Sequence, residues 1–359
     1  MDKIRFAIVG NGFRAMAFLR VGMALPELFE VTSVLFRNPE KAAQFTLCNS
    51  IPAVLTIPDC LATKPDFIIV AINRGANADM LRQLIPYQIP LLVETPPAVS
   101  YEELEDLWNK SQFYHSKIQI AEQYYLHPLH QARLKVLSQS ILGEVTNLSI
   151  SWAHDYHGVS LLRKFLGTGF EKVSIFGKNY QFPVTITDSR YGIRTDGEVA
   201  MTNRSRFTFE FEQGKVAYYD FAPDIQYRSK IRTRHLTIQG VQGEMDDLTI
   251  RSLTPKNQPL LQTFQITEDI NTLTTYNITL GKECLYLNPF VHARLTDDEV
   301  AIASCLHGMQ HYLNTGEDIY SFADGCQDTY LWLLMQEALL QPNVPVHSQE
   351  QPWGCCDRN

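Results

Sequence analysis

The chain has 359 residues, of which 45% are hydrophobic and 19% charged, with a formal net charge of −8. That length allows two domains with full cores, the balance is that of an ordinary folded protein, and the negative charge without a basic stripe excludes nonspecific nucleic-acid binding. No apolar run reaches the ~18 residues that a membrane span needs, and the N-terminus carries Asp2, Lys3 and Arg5 on a strand pattern rather than a signal peptide, so a cytoplasmic protein is expected.

Residues 4–9 are a short run of β-forming side chains, and Gly10, Gly12 and Ala15 follow in G-x-G-x-x-A spacing around Phe13 and Arg14. An apolar helical pattern starts at once. This is the layout of a dinucleotide-binding turn: the first glycine permits the tight turn, the second admits a pyrophosphate, and the small third residue lets helix and strand pack closely. The anion would sit on the open N–H groups of the helix N-terminus. Further strands are predicted over 29–36, 66–72, 90–94 and 117–122, and helices over 39–45, 75–87 and 101–112. Continuous apolar runs such as FIIVAI and PLLVE suit a parallel sheet covered on both faces. The alternation predicts a doubly wound α/β domain of the Rossmann type over residues 1–122.

The pattern then changes. A helix over 128–140, a strand over 144–153 and a helix over 159–166 are followed mainly by strands, predicted over 204–212, 215–221, 231–239, 244–251, 261–266 and 274–280. RFTFEFE puts Phe207, Phe209 and Phe211 on one face, as core or as interface. Helices over 297–314 and 323–340 close the pattern. The prediction is an α+β domain over 123–345 with a large, mostly antiparallel open sheet, the last helices being free to pack back on the first domain, and a tail over 346–359. An active cleft belongs between the domains, at the carboxyl ends of the parallel strands.

Other motifs are weaker. The seven cysteines (Cys48, Cys60, Cys284, Cys305, Cys326, Cys355 and Cys356) form no C-x-x-C pair, so reduced structural thiols are expected, the last two in an untethered tail. His307 and His311 stand at i, i+4 on a helix but lack a third ligand, so no metal is expected. Asp246 and Asp247 adjoin on a predicted strand and point to opposite faces, which separates their carboxylates.

Several segments converge on one family. They are the opening fingerprint, Glu94-Thr95-Pro96 after the fourth strand, AEQYYLHP at 121–128 followed by a helix and LGEV at 142–145, His157 in HGVSLLRKFLG with Gly167 ten residues on, and NTGEDIYSFADG at 314–325 before the last helix. In their order and spacing the chain resembles the Gfo/Idh/MocA oxidoreductases, relatives of glucose–fructose oxidoreductase and inositol dehydrogenase. The resemblance implies NAD(P)-dependent hydride transfer at a hydroxyl-bearing carbon of a sugar, inositol or related polyol, with a histidine beside the reacting hydroxyl. It also implies a homodimer or homotetramer formed through the open sheet.

The sequence departs from that family at the catalytic end. Thr95 stands where the family has the lysine of Glu-Lys-Pro, and Ala153 and Ser160 stand at the two aspartate positions around His157. The strand at LGEV runs almost directly into His157, without the family's longer intervening segment. His154, Asp155, Tyr124 and Tyr125 are the residues at hand to compensate. The catalytic candidates are therefore His157, Thr95 and Tyr124, with a structural role as the alternative for His157 and Tyr124. The cofactor candidates are Gly10, Gly12, Phe13, Arg14, Ala15, Arg37, Ile72, Asn73, Glu94, Thr95 and Gln123. The fingerprint expects an acid at the end of the second strand for the ribose 2′-hydroxyl. Here that place holds Phe36 and then Arg37, which favours NADP over NAD if Arg37 is more than a solvated loop residue. Loss of the lysine and aspartates leaves two further readings, a glycoside-cleaving enzyme that oxidises its substrate transiently and a dinucleotide-binding sensor without activity.

Overall fold

A computed structural model of the chain describes residues 3–189, 192–223, 226 and 229–354. The first domain is a six-stranded, fully parallel sheet of strands β1 (Ile4–Val9), β2 (Phe29–Leu35), β3 (Ala53–Val54), β4 (Phe67–Val70), β5 (Leu91–Val93) and β6 (Ile118–Ile120), in the order β3-β2-β1-β4-β5-β6. Its helices are α1 (Phe13–Ala24), α2 (Pro39–Cys48), α3 (Ile57–Ala62), α4 (Asn77–Leu84) and α5 (Tyr101–Phe113). The apolar runs of β1, β4 and β5 are buried on both faces, as a covered parallel sheet requires. The β3 strand and α3 are absent from the sequence reading because β3 has only two residues, too few to show a period. Thr56 caps α3 and Pro58 sits in its first turn, a start signal that precedes too short a helix to display a face.

The second domain follows α6 (Pro128–Ser138), β7 (Val145–Ser151) and α7 (Asp155–Leu166). Its sheet continues with β8 (Val173–Thr185), then β11 (Val199–Phe211), β12 (Val216–Phe221), β13 (His235–Gly240), β14 (Gly243–Asp246), β15 (Thr249–Leu253), β16 (Pro259–Glu268), β17 (Thr275–Leu280) and β18 (Glu283–Leu287); β9 (Asp188–Ser189) and β10 (Gly192–Ile193) form a separate small hairpin. Helices α8 (Asp297–Thr315) and α9 (Phe322–Leu340) and strand β19 (Val346–His347) end the described chain. Eleven strands form one sheet in the order β18-β17-β16-β15-β14-β13-β7-β12-β11-β8-β19, antiparallel except for the β7–β12 pair.

Several sequence expectations are corrected here. The longest antiparallel pairing joins β11 to β8, from Val199↔Thr185 to Phe211↔Val173. The reading gave no strand at β8 because Gly177, Asn179 and Pro183 interrupt its pattern, and pairing with β11 overrides them. The single strand expected over 244–251 is two, β14 and β15, because the backbone turns at Asp247 with φ 47°. Asp247 is thus in a turn, not on a strand; its carboxylate accepts from the Leu236 N–H at 2.9 Å. The tail expected from residue 346 is anchored as far as Gly354: Val346 pairs with Ile175 in the sheet, and Trp353 is buried against Trp108 and Tyr330 with its Nε1 donating to Gln327 at 2.9 Å. Cys355 and Cys356 lie outside the described residues.

Packing places the elements around the cleft. Phe207, Phe209 and Phe211 are buried, so the aromatic stripe of β11 is core. Helices α7 and α9 cover that face of the sheet. Helix α8 instead packs against α1, and its Val300, Ala303, Cys305 and Leu306 join the core around β1 and β2. The N-terminus of α8 thereby reaches the same end of the parallel sheet as the fingerprint turn. No helix among the described residues is long and apolar enough to cross a membrane.

Candidate active site

Gly10 has φ +123°, and a β-carbon there would stand 2.2 Å from the Ala71 carbonyl oxygen, so only glycine fits between β1 and β4. Gly12 opens α1, and a β-carbon on it would meet nothing within 4 Å, which leaves space over the helix start. No side chain caps α1 and no acidic residue lies in its first turn, so its N-terminal N–H groups face that space with the helix dipole behind them. Ala15 is fully buried and lets α1 lie close on the sheet. This is a cradle of the right chemistry for a pyrophosphate, and the residues present fit a dinucleotide. Ile72 is half-buried beside Gly10, whereas Asn73 is exposed and its side chain accepts from the Gly75 N–H at 3.0 Å. Phe13 is 82% exposed. At the end of β2, Phe36 is buried against Phe45, and Arg37 stands exposed directly after it.

Arg14 turns from the start of α1 toward the carboxyl end of β5. Its Nε lies 3.0 Å from Glu94 Oε1, and its Nη1 lies 2.9 Å from Asp298 Oδ2 at the start of α8. The Gln123 amide, oriented to satisfy both its ends, accepts from Arg14 Nη2 at 2.8 Å and donates to the Ala121 carbonyl at 3.0 Å. Glu94 is buried, which raises its carboxyl above the usual range, and Arg14 offsets only part of that rise. Burial also works against an ionised Asp298, but His127 and Arg14 more than offset it and hold that carboxyl below its usual range. Thr95 closes on the same carboxylate: its N–H and hydroxyl reach Glu94 Oε2 at 2.8 and 3.2 Å. The Thr95–Pro96 bond is cis, and Asn77 donates to the Glu94 and Pro96 carbonyls at 3.1 and 2.8 Å, fixing the turn.

His157 approaches from the second domain. Helix α7 begins at Asp155, earlier than the sequence reading placed it, so His157 lies in its first turn. The helix fits tightly against β12: a β-carbon on Gly158 would stand 2.4 Å from the Tyr219 ring, whose hydroxyl donates to the Ala153 carbonyl at 2.8 Å. His157 is 6% exposed, and its Nδ1 lies 2.6 Å from Oε2 of Glu122, which is 1% exposed. The other oxygen of Glu122 accepts from the Tyr124 N–H at 3.0 Å. The rings of Tyr124 and Tyr156 are each centred 4.6 Å from the His157 ring, and His154 is at 5.2 Å. The Tyr156 hydroxyl donates to the Thr95 carbonyl at 3.2 Å and so ties the two domains together at the site. Burial pushes His157 down to about 4 and Glu122 up to about 8.

The structure thus brings His157, Tyr124, Thr95, Glu94, Arg14 and Gln123 into one cluster, next to the turn of Gly10, Gly12 and Ala15. Arg37, Phe13 and Asn73 are exposed around it. Glu122, His127, Tyr156 and Asp298 were not singled out from the sequence. Glu122 carried a usable signal, a carboxylate ending an apolar strand in a parallel sheet. Asp298 carried none, since acids after Thr296 read as helix-start residues, and Thr296 with Glu299 indeed forms a capping box. Ser160 donates to the His157 carbonyl at 2.9 Å, and Ala153 is fully buried. His311 pairs with Glu317 at 2.6 Å, outside this site.

Comparisons with known proteins agree with the geometry. Residues 4–121 match the GFO_IDH_MocA family model, described as an oxidoreductase family with an NAD-binding Rossmann fold. YteT, a Bacillus subtilis protein named as an oxidoreductase, is 22% identical over 173 residues, which are 44% of this chain and 40% of that protein. The match therefore spans less than half the length of that relative. Among solved structures, an oxidoreductase from Agrobacterium radiobacter in complex with NAD+, L-tartaric acid and magnesium superposes with a TM-score of 0.70 at 13% identity, over 96% of this chain and 98% of that one. A levoglucosan dehydrogenase in complex with NADH and levoglucosan gives 0.69 at 14% identity, over 96% and 99%. An NAD-binding oxidoreductase from Klebsiella pneumoniae gives 0.67 at 13% identity, over 98% and 100%. At these identities the structural likeness is one of fold.

Proposed function

We infer that this chain, which belongs to the Gfo/Idh/MocA oxidoreductase family, oxidises or reduces a hydroxyl-bearing carbon of a sugar or polyol with a nicotinamide dinucleotide, using His157 as the acid–base group. The observation that carries this reading is the unbroken path of contacts from fingerprint to histidine: Arg14 of the fingerprint turn on Glu94, Thr95 on Glu94, and Tyr156 beside His157 on the Thr95 carbonyl. When bound, the nicotinamide supplies the hydride chemistry. The fingerprint turn would hold the pyrophosphate, while Ile72, Glu94, Thr95 and Gln123 would surround the nicotinamide end. His157 gives or takes the hydroxyl proton, and the Glu122 contact at Nδ1 leaves Nε2 as the ring nitrogen for that task. The Thr95 hydroxyl is committed to Glu94, so the cation at this end of the site is Arg14 rather than a side chain at position 95.

The substrate class rests on the walls. Tyr124 and Tyr156 lie against the His157 ring and Trp332 against Tyr156, while His154 and Asp155 lie at the start of α7 and Arg74 lies 3.9 Å from Asp155 and over the Trp332 ring. A polyhydroxylated ring suits such a mixture of faces and hydrogen-bonding groups. Arg37, exposed after β2 with no acid at Phe36, favours a 2′-phosphate and so NADP. Tyr180, Phe182, Met201 and Tyr218 are exposed on strands of the large sheet and favour pairing of two copies through it.

The reading is tested by titrating the full-length chain with NADH and NADPH, following nicotinamide fluorescence. The oxidised cofactors are then offered with levoglucosan, glucose and inositol. Binding of at least one cofactor and appearance of reduced-nicotinamide absorbance with a polyol are expected. Binding without turnover across the panel would favour a sensor, and no binding of either cofactor would overturn the reading.

A further inference from the structure

No acid of its own helix is hydrogen-bonded to the His157 ring, yet the ring is not alone. Glu122, 35 positions earlier, ends the segment after β6 and puts Oε2 2.6 Å from Nδ1. Both groups are buried, and the second carboxylate oxygen is fixed by the Tyr124 N–H at 3.0 Å. We propose that Glu122 is the positioning residue of the acid–base centre: its carboxylate orients the His157 ring, presents Nε2 to the substrate and stabilises the imidazolium formed there. This deepens the oxidoreductase reading and rests on it.

The geometry restricts the ring to one useful arrangement. A proton between Oε2 and Nδ1 commits that edge, while Tyr124 and Tyr156 flank the ring and limit its rotation. In the oxidising direction the O–H bond of the substrate breaks and its proton passes to Nε2. The carbinol C–H bond breaks with its electron pair going to the oxidised nicotinamide, and the C–O bond becomes C=O. The new imidazolium keeps Nδ1–H on the Glu122 carboxylate. Reduction of a carbonyl runs through the same groups in reverse.

The surroundings bias the charge of the pair without replacing Glu122. Arg14 on α1 and Glu94 after β5 oppose each other, as do His127 after β6 and Asp298 on α8; Asp155 and His154 flank His157 on α7, and Cys305 of α8 and Tyr125 face Glu122. Burial raises the Glu122 carboxyl to about 8.

The test uses the full-length chain labelled with 15N-histidine, its His157 signals assigned by their loss in His157→Gln. The wild type is expected to show a strongly hydrogen-bonded Nδ1 proton and a titration step near 8. Glu122→Gln is expected to lose both, and Glu122→Asp to keep a weakened bridging proton. With the polyol of highest turnover, Glu122→Gln is expected to lower kcat by about 10²-fold with a much smaller change in KM, and Glu122→Asp to recover part of it. Unchanged His157 spectra in folded Glu122→Gln overturn the pairing, and if that variant does not fold, an unchanged bridging signal in Glu122→Asp does the same. Lost pairing with unchanged kcat overturns the positioning role while leaving the oxidoreductase reading intact. Failure of that reading registers separately, as absence of cofactor binding by the wild type.

Discussion

The Arg14 guanidinium lies 3.0 Å from the Glu94 carboxylate, joining the fingerprint helix to the turn after β5. Glu94 is buried, so Arg14 is what makes its ionised form tolerable there. Removing one partner of such a pair strands a charge, whereas removing both does not. Arg14→Leu is therefore expected to cost about 3–5 kcal/mol of stability, read as a lower denaturant midpoint at neutral pH. The double change Arg14→Leu with Glu94→Gln is expected to recover only part of that loss, because Asp298 also loses the Arg14 guanidinium and is left with His127. A single variant as stable as wild type would show that the pair is solvated and not structural.

Arg14 also marks the limit of what the sequence discloses. The Rossmann alternation is legible because a parallel sheet covered on both faces demands continuous apolar strands, and residues 67–70 and 91–93 are of that kind. Gly10 is legible because a turn against Ala71 leaves no room for a side chain, and Gly12 and Ala15 because their spacing keeps the helix start open and lets the helix pack close on the sheet. Glu122 is less so, since its role depends on a histidine delivered from a different domain. Asp298 is not legible at all, because α8 returns to α1 across 284 residues of chain. The strands β8 and β18 were missed for a related reason: pairing with a neighbour, not local pattern, makes them strands.

The coupled pair at the centre of the site gives stability a particular pH dependence. Glu122 moves from 4.5 to about 8 on folding, so between those values the folded state holds a proton that the unfolded chain has lost, and stability falls as pH rises. His157 moves from 6.5 to about 4, so between those values the unfolded chain holds the extra proton, and stability rises with pH. The two slopes oppose each other between about 4.5 and 6.5, and only the Glu122 slope remains from about 6.5 to 8. Denaturant midpoints are expected to decline across that upper window in the wild type and to stay flatter in Glu122→Gln. Equal declines in both proteins would remove Glu122 as the cause. If His157 is the acid–base group proposed above, Nε2 is free to accept once Glu122 is ionised, so polyol oxidation is expected to rise through about pH 8 and carbonyl reduction to fall.

The C-terminal anchor is a second structural test. Trp353 is buried between Trp108 of α5 and Tyr330 of α9 and donates to Gln327 at 2.9 Å. It therefore holds the segment that ends at Gly354 against α5 and α9. Trp353→Ala is expected to cost about 3–5 kcal/mol, and Trp353→Phe distinctly less, because one aromatic ring stays to fill the site while the second ring of the indole and its N–H are lost. Thermal melts followed by circular dichroism would measure both. A neutral Trp353→Ala would show that the anchor is dispensable and that the packing seen there adds nothing to stability.

The proposed preference for NADP rests on Arg37. The end of β2 is where the ribose of a dinucleotide meets the protein in this fold, and an acid there accepts from the 2′-hydroxyl. Phe36 fills that place with a buried ring, and Arg37 follows it exposed. A guanidinium suits a phosphate through paired N–H donors, and a hydrogen bond to a charged group is worth about 1.5–3 kcal/mol. Arg37→Ala is therefore expected to weaken NADPH binding by roughly 10- to 100-fold and to leave NADH binding nearly unchanged. Arg37→Asp is expected to go further and reverse the preference, since a carboxylate repels the 2′-phosphate and accepts from the 2′-hydroxyl. Fluorescence titrations of the two reduced cofactors against the three proteins would read both effects. Equal weakening of NADH and NADPH would place Arg37 on a part of the cofactor common to both, and no weakening of either would return it to the role of a solvated loop residue.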